Sequence, residues 1–381
     1  MKISSSYKAL IAASMVVAAA PAAAQDMRIA HGYPAGTTFH ESYTALEGYV
    51  ETNSEVQVDV YGMTLLDFKQ AASGLSAGVA DAALILTTYF PKEYSEINLV
   101  TDLTMLANLG EVPVSIGAVV GGAVTEYVAL HCPDCQRQNA ALNQVSLAFS
   151  PGSQFGLLCR QPMNTLDALS GSNIRASISV HRRWAEKMGA SPITISGNEV
   201  FDGLNQGLMD CTVNAIPELS NLSLFEVVSS VTPNVPGGTY GGAAVGQVNL
   251  DFWSGLTADQ RKVVARGMAK AGAHVMTSYM KLQNSDLEQA KTNGTTVDEA
   301  DDGLKAATQA FIKEDVETIK SIYKNDFALE GVDEKVVLFA ELLEKWKGLT
   351  AGMDPTDADA LEQLFWDEIM SKIDFETYGL N

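Results

Sequence analysis

Positive charge is scarce in this chain. Twenty-five Lys and Arg stand against 46 Asp and Glu, a formal net charge of −21. So acidic a surface argues against nucleic acid and anionic membrane as partners, while leaving any buried cleft free to be locally basic. Cysteine is scarce too, with four in all. The single CxxC, "HCPDC" at 131–135, has no second CxxC or CxxH to complete a tetrahedral zinc site. Its surroundings, "TEYVALHCPDCQRQN", lack the clear strand-to-helix context of a thioredoxin-type motif. Cys132 and Cys135 are therefore disulfide candidates. Pairing among Cys132, Cys135, Cys159 and Cys211 stays open, because four cysteines allow three complete pairings. The five histidines form no HExxH, and no paired-carboxylate motif is present; the GxSxG match at 74–78, "GLSAG", closes a helical stretch instead of following a strand as a nucleophile elbow does. An exported enzyme thus has little support; no catalytic residue, cofactor or metal is expected.

Long apolar runs are missing beyond the N-terminus. The best later stretch, "VPVSIGAVVGGAV", is too short and too rich in Gly to span a bilayer. The first residues differ: Lys2 and Lys8 precede "ALIAASMVVAAAPAAA", which ends in small residues before Gln25. That is the layout of a secretory signal peptide over 1–24, cleaved after Ala24. The mature protein is expected to be exported, periplasmic and soluble, and long enough for two domains.

What is present is a doubled pattern. "MRIAH" reads as a strand and "FHESYTALEGYVETN" as a helix whose Phe39, Tyr43, Leu46 and Val50 share one face. "EVQVDVYG" alternates as a strand, "LLDFKQAASGLSAG" is helical, and "VADAALIL" reads as a buried parallel strand. The second half repeats the order with "NIRAS", "HRRWAEKMGA", "PITI", "NEVFDGLNQG" and "LMDCTVNAI". Even a turn recurs, since Gly74-Leu75-x-x-Gly78-x-x-Asp81 matches Gly203-Leu204-x-x-Gly207-x-x-Asp210. The second Gly of each suits the left-handed residue that ends a helix. Strand–helix–strand–helix–strand twice over predicts an α/β fold of two lobes, with ligands beyond the carboxyl ends of the strands. The expected division is lobe 1 over 25–150, with later elements returning to it, lobe 2 over 151–245, and a helical region over 246–381 that spans both.

In order and spacing, several segments together resemble the solute-binding proteins of TRAP transporters, the DctP-type family. They are "MRIAHGYPAGTTFHESYTALEGYV", "LSAGVADAAL", "PMNTLDALSGSNIRAS", "MGASPITISGNEVFDGLNQGLMDCTVNAIPEL" and "NLDFWSGLTADQRKVV", and the likeness covers roughly residues 26–350. The resemblance implies a two-lobe periplasmic solute-binding protein fold with a ligand cleft between the lobes and C-terminal helices clasping both. It also implies capture of a small carboxylate-containing organic acid and delivery to the membrane subunits of a transporter, by a monomer or dimer.

The family's arginine at the end of its "GLKIR" strand grips the ligand carboxylate, and Arg175 in "GSNIR" matches it. A planar fork of donors fits both carboxylate oxygens, and a dry cleft strengthens the pair. Asn214 matches the family's asparagine four residues after the turn Asp; alternatively it caps its own backbone. His31, at the end of the first strand, is either a ligand contact or a structural histidine. Tyr33, Thr87, Tyr89, Gln154 and Tyr240 complete the candidate ligand-binding set, with Tyr89 and Tyr240 as cleft walls. His181, Arg182 and Arg183 read as a solvated helix face rather than a second anion clamp, and Trp184 as core.

Three positions depart from the family. Gln154 or its apolar neighbours stand where a second basic residue is common. Gly197 replaces an aromatic. Leu86 replaces a glutamate of sialic-acid-binding members. These departures imply one carboxylate clamp in a roomier, less charged site, against both a compact dicarboxylate and a sialic acid. A ligand sensor that reports to a membrane receptor would need the same closing cleft, and the sequence does not separate it from a transport component.

Overall fold

A computed structural model describes residues 26–380; the leader read at 1–24 lies outside the described residues. Two sheets organise the chain. The first contains β1 (Asp26–His31), β2 (Gln57–Gly62), β3 (Ala82–Leu86), β4 (Gln144–Ser146) and β10 (Ala243–Asn249), in the order β2-β1-β3-β10-β4. The second contains β5 (Phe155–Cys159), β6 (Asn173–Arg175), β7 (Ser191–Ile193), β8 (Cys211–Ala215), β9 (Ser230–Thr232) and β11 (Thr296–Val297), in the order β11-β9-β5-β8-β6-β7. Strands β1, β2 and β3 are parallel, as are β6, β7 and β8. Strand β10 runs antiparallel to β3 and β4, and β5 runs antiparallel to β8 and β9. The helical stretch read at 246–381 therefore starts inside a strand of the first sheet and later lends β11 to the second.

The doubled motif is structural. Gly78 and Gly207 have φ of 72° and 73°, the left-handed turn expected of them. The Asp that follows each does the same work in each lobe. Asp81 N–H donates to the Arg28 carbonyl at 2.8 Å, and Asp81 Oδ2 accepts from Arg28 N–H at 2.9 Å. Asp210 N–H donates to the Asn173 carbonyl at 2.8 Å, and Asp210 Oδ2 accepts from Asn173 N–H at 2.8 Å. Each pair fixes where the third strand of a lobe meets the first, and so sets the level of the strand ends that face the other lobe.

The helices hold the lobes together. Helix Ala258–Thr292 runs 35 residues from a capping box at Thr257 and Gln260 and packs along helix Thr38–Asn53. The apolar stretch "VPVSIGAVVGGAV" becomes the buried helix Ile116–Glu126, and its glycines are close-approach points. A Cβ on Gly122 would lie 2.1 Å from the Trp346 ring. Among the described residues, no helix is long and apolar enough to cross a membrane.

Within the run His181–Arg183 only Arg182 is on the solvated face expected. His181 is buried, with Nε2 2.9 Å from the Gly237 carbonyl. Arg183 forms a fork with Asp315 at 2.8 and 2.7 Å and reaches Asp102 at 3.4 Å. A single helix turn cannot reveal such partners, which come from helices Ser95–Asp102 and Asp302–Asn325. Trp184 is core, as expected, and its Nε1 donates to Thr308 at 3.0 Å.

All four cysteines are bridged. Cys132 pairs with Cys135, and Cys159 pairs with Cys211. The second bridge joins directly opposed residues of β5 and β8.

Candidate functional site

Arg175 is the last residue of β6, whose parallel neighbours β7 and β8 all end on the side facing the first sheet's lobe. Its side chain is 3% exposed. Nε donates to the Ile195 carbonyl at 3.3 Å, and one terminal nitrogen donates to the Tyr89 hydroxyl at 3.2 Å. Neither partner is charged. Among the described residues, no carboxylate lies within ion-pair distance of this guanidinium, whereas Arg28 and Arg183 each have one; the buried Arg261 also lacks one but donates to four backbone carbonyls instead. A desolvated cation without a counterion is costly unless an anion joins it.

The cavity in front of Arg175 lies between the lobes. From the first lobe come Tyr33, Phe39, Phe68, Leu86, Tyr89, Tyr240 and Ala243; from the second come Phe155, Ser177, Gly197, Asn214, Glu218 and Leu222; Tyr279 is supplied by the long helix. Its volume is about 50 Å³. The lobes meet directly around it. Asn198 Nδ2 donates to the Gly32 carbonyl at 2.8 Å, Thr38 N–H to Asn221 Oδ1 at 3.2 Å, and Gly197 N–H to the Tyr89 hydroxyl at 2.8 Å. An exposed Lys69–Glu199 pair at 3.0 Å bridges the rim.

Of the sequence candidates, Arg175, Asn214, Tyr33, Tyr89 and Tyr240 line this cavity. Asn214 Oδ1 accepts from the Ala215 N–H at 3.2 Å, so it caps its own backbone while its amide nitrogen remains a donor. Tyr240 meets Thr88 through its hydroxyl. The remaining three stand elsewhere. His31, at the end of the interior strand β1, is buried, with Nε2 3.1 Å from His40 Nδ1 and its ring stacked on Tyr43. Burial pushes His31 down to about 4, so it is neutral. Thr87 is buried against Gly242, whose carbonyl accepts its N–H at 3.0 Å. Gln154 donates to the Asn234 carbonyl at 3.4 Å on the surface side.

Gly197 lacks an aromatic ring, but that space is taken from across the cleft. A Cβ on Gly197 would stand 3.3 Å from the Phe68 ring and 3.6 Å from the Tyr89 hydroxyl. Three residues went unnoticed in the sequence. Phe68 and Tyr279 look there like ordinary helix-face aromatics. Glu218, in "IPELS", belongs to no motif, and its only signal is an acid set in an apolar run four residues after Asn214.

Glu218 lies beside the two tyrosines. Its Oε1 accepts from the Tyr279 hydroxyl at 2.6 Å and the Tyr33 hydroxyl at 3.3 Å. Burial pushes its carboxyl up to about 7; the two tyrosine hydrogen bonds, and then the charge of Arg175, act in the opposite direction.

A larger depression, about 560 Å³, lies between residues 109–115 and 350–355. Its single lysine, Lys347, is already paired with Glu344 at 2.9 Å, so it offers an organic acid no free cation.

Two α/β lobes with strand ends facing an interlobe cavity are an architecture this chain shares with solved solute-binding proteins. A marine metagenome TRAP solute-binding protein specific for pyroglutamate, from an unidentified microbe, has the same fold. Its TM-score is 0.69 at 15% identity, over 84% of this chain and 99% of that one. A second marine metagenome protein, specific for aromatic acid ligands, matches with TM-score 0.70 at 17% identity, again over 84% and 99%. Residues 139–324 match the family described as bacterial extracellular solute-binding protein, family 7 (DctP). The C4-dicarboxylate-binding periplasmic protein DctP of Rhodobacter capsulatus is 29% identical over 136 residues, which is 35% of this chain and 40% of that relative. The shared stretch thus spans less than half the relative's length.

Proposed function

We propose that this protein is the extracytoplasmic solute-binding component of a TRAP-type secondary transporter. It captures a small carboxylate-containing organic acid between its lobes and delivers it to membrane subunits. It performs no chemistry on the ligand, works in the periplasm after export by the leader at 1–24, and is a monomer or dimer. One observation carries the reading: Arg175 is a buried guanidinium in the interlobe cavity with no carboxylate in ion-pair reach. In this reading Arg175 holds the ligand carboxylate through two parallel hydrogen bonds, Asn214 adds its amide nitrogen, and Tyr89 and Tyr240 wall the cavity. The family match over residues 139–324 and the shared fold support it, as do the carboxylate ligands of the relatives described above.

The test is a thermal-shift screen against organic acids, followed by calorimetry on the hits. Arg175→Ala is expected to cost roughly 2–5 kcal/mol of binding, much of it from leaving the ligand carboxylate buried and unpaired. Arg175→Lys should also bind weakly, because an ammonium cannot reproduce the parallel pair. Unfolding curves should move little in either variant. A parent-like affinity in Arg175→Ala would place the site elsewhere.

A further inference from the structure

The cavity holds a second buried group that a simple carboxylate would not use. Glu218 is 4% exposed and lines the same cavity as Arg175. Both neighbouring hydroxyls, from Tyr33 and Tyr279, go to one of its oxygens, Oε1. The other oxygen, Oε2, is buried and has no hydrogen-bond partner among the described residues. No lysine, arginine or histidine of the described residues pairs with it. If Glu218 served only to fasten the two tyrosines, one oxygen would suffice, and the second would be a dry acceptor bearing a desolvation cost for nothing.

The two ends of the cavity therefore ask for opposite things. At one end Arg175 lacks an anion; at the other, Glu218 Oε2 lacks a donor. A second acid, Asp286, is close enough to act on Glu218 and is tied to Ser220 at 2.8 Å. A monocarboxylate would satisfy Arg175 and leave Oε2 dry. A dicarboxylate would bring a second negative charge against an acidic wall, where like charges repel at low dielectric. A ligand with a carboxylate and a donor nitrogen satisfies both ends at once. The rings of Tyr33, Phe39 and Tyr279 pack around that end, with Tyr33 stacked on Phe39 at 4.8 Å. Aromatic faces suit a cationic or polarised N–H group.

Resting on the carboxylate reading above, we infer that the ligand is an amino-acid-like carboxylate, held by Arg175 at its carboxylate and by Glu218 Oε2 at an N–H. Glu218 is then the residue that selects among organic acids.

The experiment uses matched probes on the full mature chain at pH 8. Each pair sets a carboxylate with a donor nitrogen against its nitrogen-free isostere: L-proline against cyclopentanecarboxylate, and L-pyroglutamate against 5-oxotetrahydrofuran-2-carboxylate. Thermal shift and calorimetry are read for wild type, Glu218→Gln and Arg175→Ala. The nitrogen member of at least one pair is expected to bind about tenfold or more tighter, as a site built to bond an N–H rejects the analogue without it. Glu218→Gln turns the free acceptor into a donor of the same size and should bring that ratio to about one or below. Arg175→Ala should weaken both members alike. Equal binding within the pairs, or a preference untouched by Glu218→Gln, overturns the inference and leaves the carboxylate reading standing. No binding by any probe, or binding that survives Arg175→Ala, overturns the carboxylate reading and the inference with it. Should Glu218→Gln fail to fold, the ratios in the wild type decide.

Discussion

Removing the Cys159–Cys211 bridge should cost far more stability than removing Cys132–Cys135, and the structure says by how much. The first bridge closes a loop with a sequence separation of 52, and the second one of only 3. In the chain-entropy treatment, closing the larger loop restricts the unfolded chain by about 4 kcal/mol at 25 °C, against about 2 kcal/mol for the small one. The larger loop contains β6 and β7 and ends at the first residue of β8, so its release frees the segment that carries Arg175 in the unfolded state. Native geometry should survive, because Cys159 and Cys211 are directly opposed at the end of the β5–β8 ladder, with an Arg160 N–H to Asp210 carbonyl bond at 2.9 Å just beyond them. The comparison needs one precaution. Cys132 Sγ accepts from Cys135 N–H at 3.0 Å and caps helix Pro133–Ala141. A fair control is therefore Cys132→Ser with Cys135→Ala, which keeps a capping oxygen, set against Cys159→Ala with Cys211→Ala. Urea unfolding followed by circular dichroism reads both the midpoint and the slope. The larger-loop variant should lose about 2 kcal/mol more and show a steeper slope, since its unfolded chain expands further. Equal losses with equal slopes would refute the loop-entropy reasoning.

Two further outcomes follow from buried charge. Arg183→Met leaves Asp102 and Asp315 buried together without their shared cation, and should destabilise by about 3–5 kcal/mol in urea titrations at pH 7.5; a loss below about 1 kcal/mol would show that water reaches the pair. The pH dependence of stability should carry opposing components. His31 and His181, held at about 4 by burial, bind their protons only in the unfolded chain between pH 4 and 6.5, so they make stability rise with pH across that window. Glu218, pushed up from 4.5 to about 7 by burial, keeps its proton in the folded state between those values, so stability from this group falls as pH rises through them. Glu218→Gln removes the falling component, and on going from pH 4.5 to 8 the variant should gain about 3 kcal/mol relative to wild type. Parallel unfolding curves at the two pH values would contradict this assignment.

The parts of the fold that were legible in the sequence are those written in local chemistry. Gly78 and Gly207 mark left-handed turns that few other residues accept, and the Asp three residues later marks a strand entry, so the two lobes could be read off as one pattern used twice. Arg175 and Asn214 were legible because they sit at fixed offsets from those marks. Strand β10 was not, because "AAVGQVN" is buried at all seven positions and offers no alternation. Its Gln247 is satisfied by Asn139 and Gln144, partners more than a hundred residues away. The same limit hid the role of Arg183, whose partners lie on two other helices, and that of Glu218, whose partners lie on the opposite lobe and the long helix. What the sequence withholds in each case is a tertiary partner for a polar group.

That pattern bears on how the site works. A ligand shifts the lobes toward closure only by the difference in its affinity for the open and closed forms. Arg175 and Asn214 belong to the second lobe alone, so by themselves they hold a carboxylate equally well in either form. The groups that make the difference must cross the cleft. Tyr89 does so: it comes from the first lobe, and its hydroxyl accepts from both Arg175 and the Gly197 N–H. Glu218 does so as well, since it is a second-lobe residue whose Oε1 is held by Tyr33 of the first. Both ends of the cavity are thus completed by a tyrosine from the other side. Closure brings the Tyr89 hydroxyl to the guanidinium and the Tyr33 hydroxyl to Glu218 in the same movement, which fixes the direction of the free Oε2. In the proposed function, recognition by Arg175 and by Glu218 is therefore coupled through the approach of the two lobes, and a ligand that satisfies only one of them leaves part of its binding energy unable to favour the closed form.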